Sequence, residues 1–136
     1  MKRSHSIYRS FYFAIKGFLR ALKEERNLKI QMSMFLFLLF LGFLIRFRPY
    51  EWAMVLLSSS MVIVSEMINS VIERIMDFVK PEFDDRVGII KDMSASFVLI
   101  ACFFSVIIFL ILIFNRISPH IVGFGNLVSH SFKVLT

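Results

Sequence analysis

The chain has 136 residues, is 57% hydrophobic and carries a formal net charge of +6. This length predicts a single domain, and a mean hydropathy of +0.73 excludes the composition of an ordinary soluble protein. The single cysteine, Cys102, excludes an intrachain disulfide and is interpreted as a buried, inert thiol. We therefore expect a single-domain membrane protein.

The first predicted element is an amphipathic helix at residues 7–29. Between residues 11 and 22, apolar side chains recur every three or four positions, and the basic residues lie mostly on other faces. This pattern is typical of a helix in the membrane interface. A narrow stripe of small residues precedes Glu25 and comprises Ala14, Gly17 and Ala21. If this stripe packs on another helix, it carries Glu25 towards the bundle; alternatively, Glu25 is a solvated residue in a charged run.

Three apolar stretches follow, at residues 30–47, 52–78 and 93–115. Each is near the ~20 residues that a membrane-spanning helix needs. Basic residues are concentrated before the first stretch and between the second and third, which predicts a cytoplasmic N-terminus in the bacterial inner membrane. Anionic lipid explains this basic N-terminus better than nucleic acid does. The fold class is therefore all-α, with one surface helix, three transmembrane helices and a tail, residues 116–136, of unassigned role.

A ladder of polar residues closes the second apolar stretch. Its members fall on one face of the predicted helix and are Glu66, Asn69, Glu73 and Asp77. A carboxylate in or beside hydrocarbon is costly unless a partner compensates its charge. We therefore expect a cationic group, or a group that holds cations, against this face.

The residue types in and around this ladder fit phosphoryl transfer. Glu73 and Glu25 provide the hard oxygen ligands of Mg²⁺, which usually combines one or two carboxylates with substrate phosphates. Lys91 is suited to neutralise phosphate charge, and the deeper Glu66 to accept the proton of a lipid hydroxyl. Two alternatives remain open at this point: a small cation- or proton-coupled transporter, and a polar seam in a non-catalytic membrane scaffold.

Several motifs resemble those of the prokaryotic diacylglycerol kinase family, which includes undecaprenol kinases. The ladder is similar to the family signature ExxNxxxExxxD, and Lys91-Asp92 resembles its KD pair before the last span. Residues 14–17 with Glu25 resemble its N-terminal motif. Residues 25–30 are closest to the ERNxKI form of the undecaprenol kinases. The resemblance covers about residues 10–115, with the motifs in the family's order and spacing.

The resemblance implies a homotrimer of three-span subunits in the lipid bilayer, with sites shared between neighbouring subunits. It implies ATP- and Mg²⁺-dependent phosphorylation of a membrane lipid alcohol, and ERNxKI favours undecaprenol over diacylglycerol. By position, Glu66 is the general base, and Glu25 and Glu73 hold the metal. The nucleotide-binding residues that it implies are Asn69, Asp77, Glu82, Lys91 and Asp92.

Three residues depart from the family pattern. Asp84 stands where relatives usually have His, Phe97 follows Lys91-Asp92 where relatives have only small residues, and Gln31 replaces a frequent His or Glu. These differences concern the contacts of the nucleotide base, the packing of the third span and the surroundings of the first span. None removes a residue to which the resemblance assigns a catalytic role.

Overall fold

The computed structural model describes residues 7–80, 82 and 84–134, with side chains as far as residue 116. Over these residues it contains only helices and their connections: α1 (Ile7–Glu24), α2 (Arg26–Leu44), α3 (Pro49–Val79) and α4 (Asp85–Val134). Three segments are long and apolar enough to cross a membrane, namely α2, α3 and the Asp85–Arg116 part of α4. This confirms the predicted all-α fold with three candidate spans.

The surface helix is shorter than predicted. Residues 7–29 were expected to form one helix, but the chain breaks at Glu25, whose backbone is extended with φ −88° and ψ 120°. Residues 26–29 belong instead to α2, where Leu28 is completely buried. Neither Gly nor Pro marks the break, and the helical pattern of apolar residues continues through it, so the sequence alone did not reveal it.

The turn between α2 and α3 is held by close packing and a cap. Arg46 adopts the left-handed conformation with φ 55°, and Pro49 occupies the first position of α3. A Cβ at Gly42 would lie 2.5 Å from the Phe47 ring and 2.8 Å from Trp52, so only glycine fits there. Phe47 and Trp52 pack edge to face with centroids 5.5 Å apart, which fixes the start of α3 against the end of α2.

Helix α3 is the centre of the bundle and packs most extensively on α4. The apolar core lies towards the α2–α3 turn, where Phe47, Val55 and Leu112 are buried against Trp52 and Ile108. Most other large apolar side chains of the spans face outwards. In a chain with three candidate spans, lipid or other protein chains would cover these faces.

Helix α4 begins earlier and ends later than predicted. The third span was expected at residues 93–115, but the helix starts at Asp85, so Lys91 and Asp92 lie within it and not at its entrance. The cap that starts the helix is Asp84, described below. The predicted tail, residues 116–136, is not separated by a break, since α4 continues to Val134. The side chains of residues 117–136 lie outside the described part of the chain.

Candidate functional site

The polar ladder runs along α3 from the buried interior to the surface. Glu66 and Asn69 are 3% and 6% exposed, Glu73 is half-buried and Asp77 is exposed. The helix thus carries acidic and amide groups from the membrane-spanning part of the bundle to the end that contains the α3–α4 loop. We call this end of the molecule the Asp77 end.

Glu66, the deepest carboxylate of the ladder, is held by a neutral side chain from α2. The Nε2 of Gln31 donates a hydrogen bond of 3.0 Å to Glu66 Oε2. The Oε1 of the same amide is buried without a hydrogen-bond partner in the described residues, as is the hydroxyl of Ser59. Gln31 and Ser59 both line a cavity of about 220 Å³ between α2, α3 and α4, which is otherwise mostly apolar.

Asn69 connects the two helices that form most of the bundle. Its Oδ1 accepts a 2.6 Å hydrogen bond from the Ser94 hydroxyl on α4, and its Nδ2 donates a 3.0 Å bond to Glu73 Oε1. Ser94 is 2% exposed and was not among the predicted site residues. The sequence feature that could have identified it is a small polar residue within an otherwise apolar helix. Asn69 therefore orients Glu73 and ties it to α4.

Lys91 and Asp77 join α3 to α4 at the surface. The ammonium of Lys91 lies 2.5 Å from Asp77 Oδ1, and it also lines a polar cavity of about 310 Å³ between the end of α3 and the start of α4. The cavity is formed by Asp77, Lys80, Glu82, Asp84, Val87, Gly88 and Lys91. Of the five residues predicted to bind nucleotide, the structure places three around this cavity. Asp92 is exposed and Asn69 is not among the residues that form it.

Asp84, one of the three residues noted above as departing from the family resemblance, caps α4. Its Oδ1 accepts a 2.8 Å hydrogen bond from the backbone N–H of Arg86, which is the usual role of an aspartate just before a helix. The ammonium of Lys80, directly after α3, donates to Asp84 Oδ2. Hydrogen bonds from Lys80 and then Arg86 lower the pKa of Asp84 to about 2. This aspartate thus connects the end of α3 to the start of α4.

Glu25 does not lie in a purely solvated run, because it contacts α3. Arg74 lies 2.5 Å from Glu25 Oε1 and 2.8 Å from Glu24 Oε2. Hydrogen bonds from Arg20 and then Arg74 lower the pKa of Glu24. Gly17, in the middle of the stripe of small residues on α1, packs against no other helix, since a Cβ there would meet nothing within 4 Å.

The two predicted metal ligands meet different partners within one chain. Glu25 pairs with Arg74, whereas Glu73 accepts from Asn69. Among the described residues there is no group of three or more acidic, histidine or cysteine side chains arranged to hold a metal. Two carboxylates nevertheless suit Mg²⁺, which commonly completes its shell with water and substrate phosphates. By residue type, Glu25 and Glu73 therefore suit Mg²⁺, and their role as its ligands remains an expectation.

Comparison with known proteins assigns the chain to a family. The model of the prokaryotic diacylglycerol kinase family matches residues 12–113, which include the whole ladder and the Lys91–Asp77 pair. A protein named diacylglycerol kinase, from Helicobacter pylori (strain J99), is 29% identical over 98 residues, which are 72% of this chain and 77% of the relative. The protein described here therefore belongs to the prokaryotic diacylglycerol kinase family, whose members are membrane lipid kinases with ATP as co-substrate.

Proposed function

We propose that the protein phosphorylates the hydroxyl group of a membrane lipid alcohol with MgATP. One observation carries the proposal most directly. Glu66 is buried at the deep end of a polar ladder that leads to the surface, and its recorded partner is a neutral amide. Among the described residues no cation pairs with Glu66, and a buried carboxylate in that setting is suited to accept a proton. Undecaprenol is the favoured substrate, with diacylglycerol second, because residues 25–30 resemble the undecaprenol kinase motif.

In the proposed reaction, Glu66 accepts the hydroxyl proton of the lipid alcohol. The lipid oxygen then bonds to the γ-phosphorus of ATP, and the bond from that phosphorus to the oxygen of the ADP leaving group breaks. Bound Mg²⁺ supplies the positive charge that balances the phosphate oxygens in such a transfer. Glu25 and Glu73 are the residues that would hold it.

The Asp77 end is proposed to bind the nucleotide. Lys91 provides a cation for phosphate oxygens, and its contact with Asp77 orients the ammonium. Glu82 lines the same cavity, and Asn69 acts through Glu73, which it orients. Asp92 is exposed one residue after Lys91, and we assign it to the same nucleotide. The charges of this end suit water and phosphate, whereas the surroundings of Glu66 suit a lipid.

We propose the bacterial inner membrane as the location, with the N-terminus and the Asp77 end in the cytoplasm, where ATP is found. The basic residues before α2 support this orientation. We also propose a homotrimer in which neighbouring subunits share a site. The outward-facing apolar side chains of the spans, and the separate partners of Glu25 and Glu73 within one chain, support an assembly of this kind.

The test is transfer of labelled phosphate from ATP by purified protein in mixed micelles. Undecaprenol and diacylglycerol are offered separately, each with Mg²⁺ and with a chelator. We expect Mg²⁺-dependent label in the lipid, greater in undecaprenol. Label in diacylglycerol alone would reverse the substrate preference. Absence of label in both lipids, from folded protein, would contradict the kinase proposal and favour a transporter or a scaffold.

A further inference from the structure

A buried side-chain contact joins α2 to α3. The Nε2 of Gln31, on α2, donates a 3.0 Å hydrogen bond to Glu66 Oε2, on α3. Glu66 is 3% exposed, so water contributes little to its solvation. The amide of Gln31 is therefore a principal source of hydrogen bonding for this carboxylate.

The orientation of the amide is itself informative. With Nε2 turned to Glu66, the Oε1 of Gln31 is buried without a partner in the described residues. An unpartnered buried acceptor is costly. The reverse orientation would place two acceptor oxygens against each other, unless Glu66 carried a proton. The amide therefore meets Glu66 with its donor group, as a positioning contact requires.

The other groups that face Glu66 do not replace this donor. From α4, the Cys102 thiol lines the same cavity as Gln31, and a thiol is a weak donor. Along α3, Asn69 directs its Nδ2 to Glu73 and accepts from Ser94. In the part of the chain that the structure describes, Gln31 is the side chain with a recorded hydrogen bond to Glu66.

We propose that Gln31 is a positioning residue for Glu66: its amide holds the carboxylate in place without adding a second charge beside it. This inference rests on the proposed role of Glu66 as general base. A carboxylate at position 31 would instead face Glu66 at hydrogen-bond distance. Two such groups retain one shared proton to higher pH, because two adjacent negative charges repel each other.

The experiment compares the pH dependence of phosphate transfer in wild type, Gln31→Glu and Gln31→Met. We expect Gln31→Glu to move the acid limb of the rate profile upwards by about one pH unit or more. Gln31→Met, which removes the donor without adding charge, should move it in the same direction by less. It should also lower kcat by about tenfold to a hundredfold, while the KM for lipid changes little, because the carboxylate is no longer held in the reactive position.

A second measurement does not depend on activity. Infrared spectra of Gln31→Glu should show a protonated carboxyl band at neutral pH, which the double variant Gln31→Glu/Glu66→Gln should lack. An acid limb that stays in place in Gln31→Glu, or wild-type kcat in Gln31→Met, would overturn the proposal. If wild type phosphorylates neither lipid, the proposed function fails. The carboxyl band of Gln31→Glu still shows, independently of activity, whether the side chain at position 31 interacts with Glu66.

Discussion

Helix α3 carries two buried carboxylates, Glu51 in its first turn and Glu66 near its middle, and the partners of the two differ in charge. Near the α2–α3 turn, Glu51 is 2% exposed and accepts from the backbone N–H of Arg48 at 2.6 Å. It also accepts from Arg116 Nε at 3.0 Å and Nη2 at 2.5 Å. We call this arrangement the Glu51 clasp. Closer to the Asp77 end, Glu66 is 3% exposed, and its one donor among the described residues is the neutral amide of Gln31.

Under the proposed function, the charge of the partner distinguishes the structural carboxylate from the one that accepts a proton, whereas the degree of burial does not. The Glu51 clasp balances the negative charge with a guanidinium that also donates to the backbone oxygens of Ile45 and Arg46. Such a bidentate pair fixes three chain segments and leaves little acceptor capacity. Glu66 keeps lone pairs for a further donor such as a lipid hydroxyl. We infer that the Glu51 clasp holds the fold and that Glu66 performs the chemistry.

The largest expected effect is at Glu66. Glu66→Gln keeps the shape of the side chain but removes the proton acceptor, so lipid phosphorylation should fall by about 10²–10⁴-fold. Titration with nucleotide should show ATP binding near the wild-type level, since Lys91 and its cavity are unaltered. A variant that retains full activity would show that Glu66 is not the base.

The next effect is on stability, at the Glu51 clasp. Arg116→Met leaves Glu51 charged and buried without its counter-ion, and should lower the Tm by about 5–10 °C. Adding Glu51→Gln to this variant should recover part of the loss, because the uncompensated charge is removed. Thermal unfolding in one detergent measures four proteins: wild type, Arg116→Met, Glu51→Gln and the double variant. Purely additive losses in the double variant would contradict a coupled ion pair.

A smaller effect concerns the metal. Arg74 occupies Glu25, so Arg74→Gln should free this carboxylate and lower the Mg²⁺ concentration for half-maximal activity by about threefold. Glu73→Gln should raise it by about tenfold, because a ligand is lost. The matched control is Arg20→Gln, because Arg20 forms an ion pair with Glu24 and not with Glu25. Equal metal titrations for Arg74→Gln and Arg20→Gln would count against competition at Glu25.

The smallest effect is local, at Asp84. Asp84→Ala removes the cap, and the first amides of α4 should exchange hydrogen about threefold to tenfold faster, whereas Asp84→Asn should largely preserve protection. The pKa of Asp84 is lowered to about 2 from an ordinary 3.8. The stabilisation that follows from this shift is therefore present above about pH 4 and is lost as the pH falls through about 2. Equal exchange in the Ala and Asn variants would refute the capping role.

The sequence predicted what depends on local pattern and missed what depends on distant pairs. The lengths of the apolar stretches predicted the three candidate spans, and the helical spacing of polar residues predicted that Glu66 and Asp77 lie on one face of α3. The break between α1 and α2 at Glu25 could not be predicted, because neither Gly nor Pro is found there. Helix α4 starts at Asp85 and not at residue 93 because Asp84 caps it, whereas the apolar pattern that predicts the span begins later in the sequence.

Contacts between distant residues could not be read from periodicity. Arg116 meets Glu51 across 65 positions, and Gln31 meets Glu66 across 35. In the sequence, Arg116 ends an apolar stretch and Gln31 begins one, which is where interface anchors are common. Their pairing depends on how α2 and α4 are rotated against α3, and this rotation is set by the packing of the whole bundle.

The most direct test of the account compares Glu66→Gln and Glu51→Gln in one lipid phosphorylation assay, with rates expressed per folded protein. Both changes remove one buried negative charge from the same helix. We predict that Glu51→Gln retains most of the wild-type rate although it unfolds at lower temperature, while Glu66→Gln is folded and inactive. Equal rates for the two variants would contradict the claim that the charge of a carboxylate's partner distinguishes the chemical residue from the structural one.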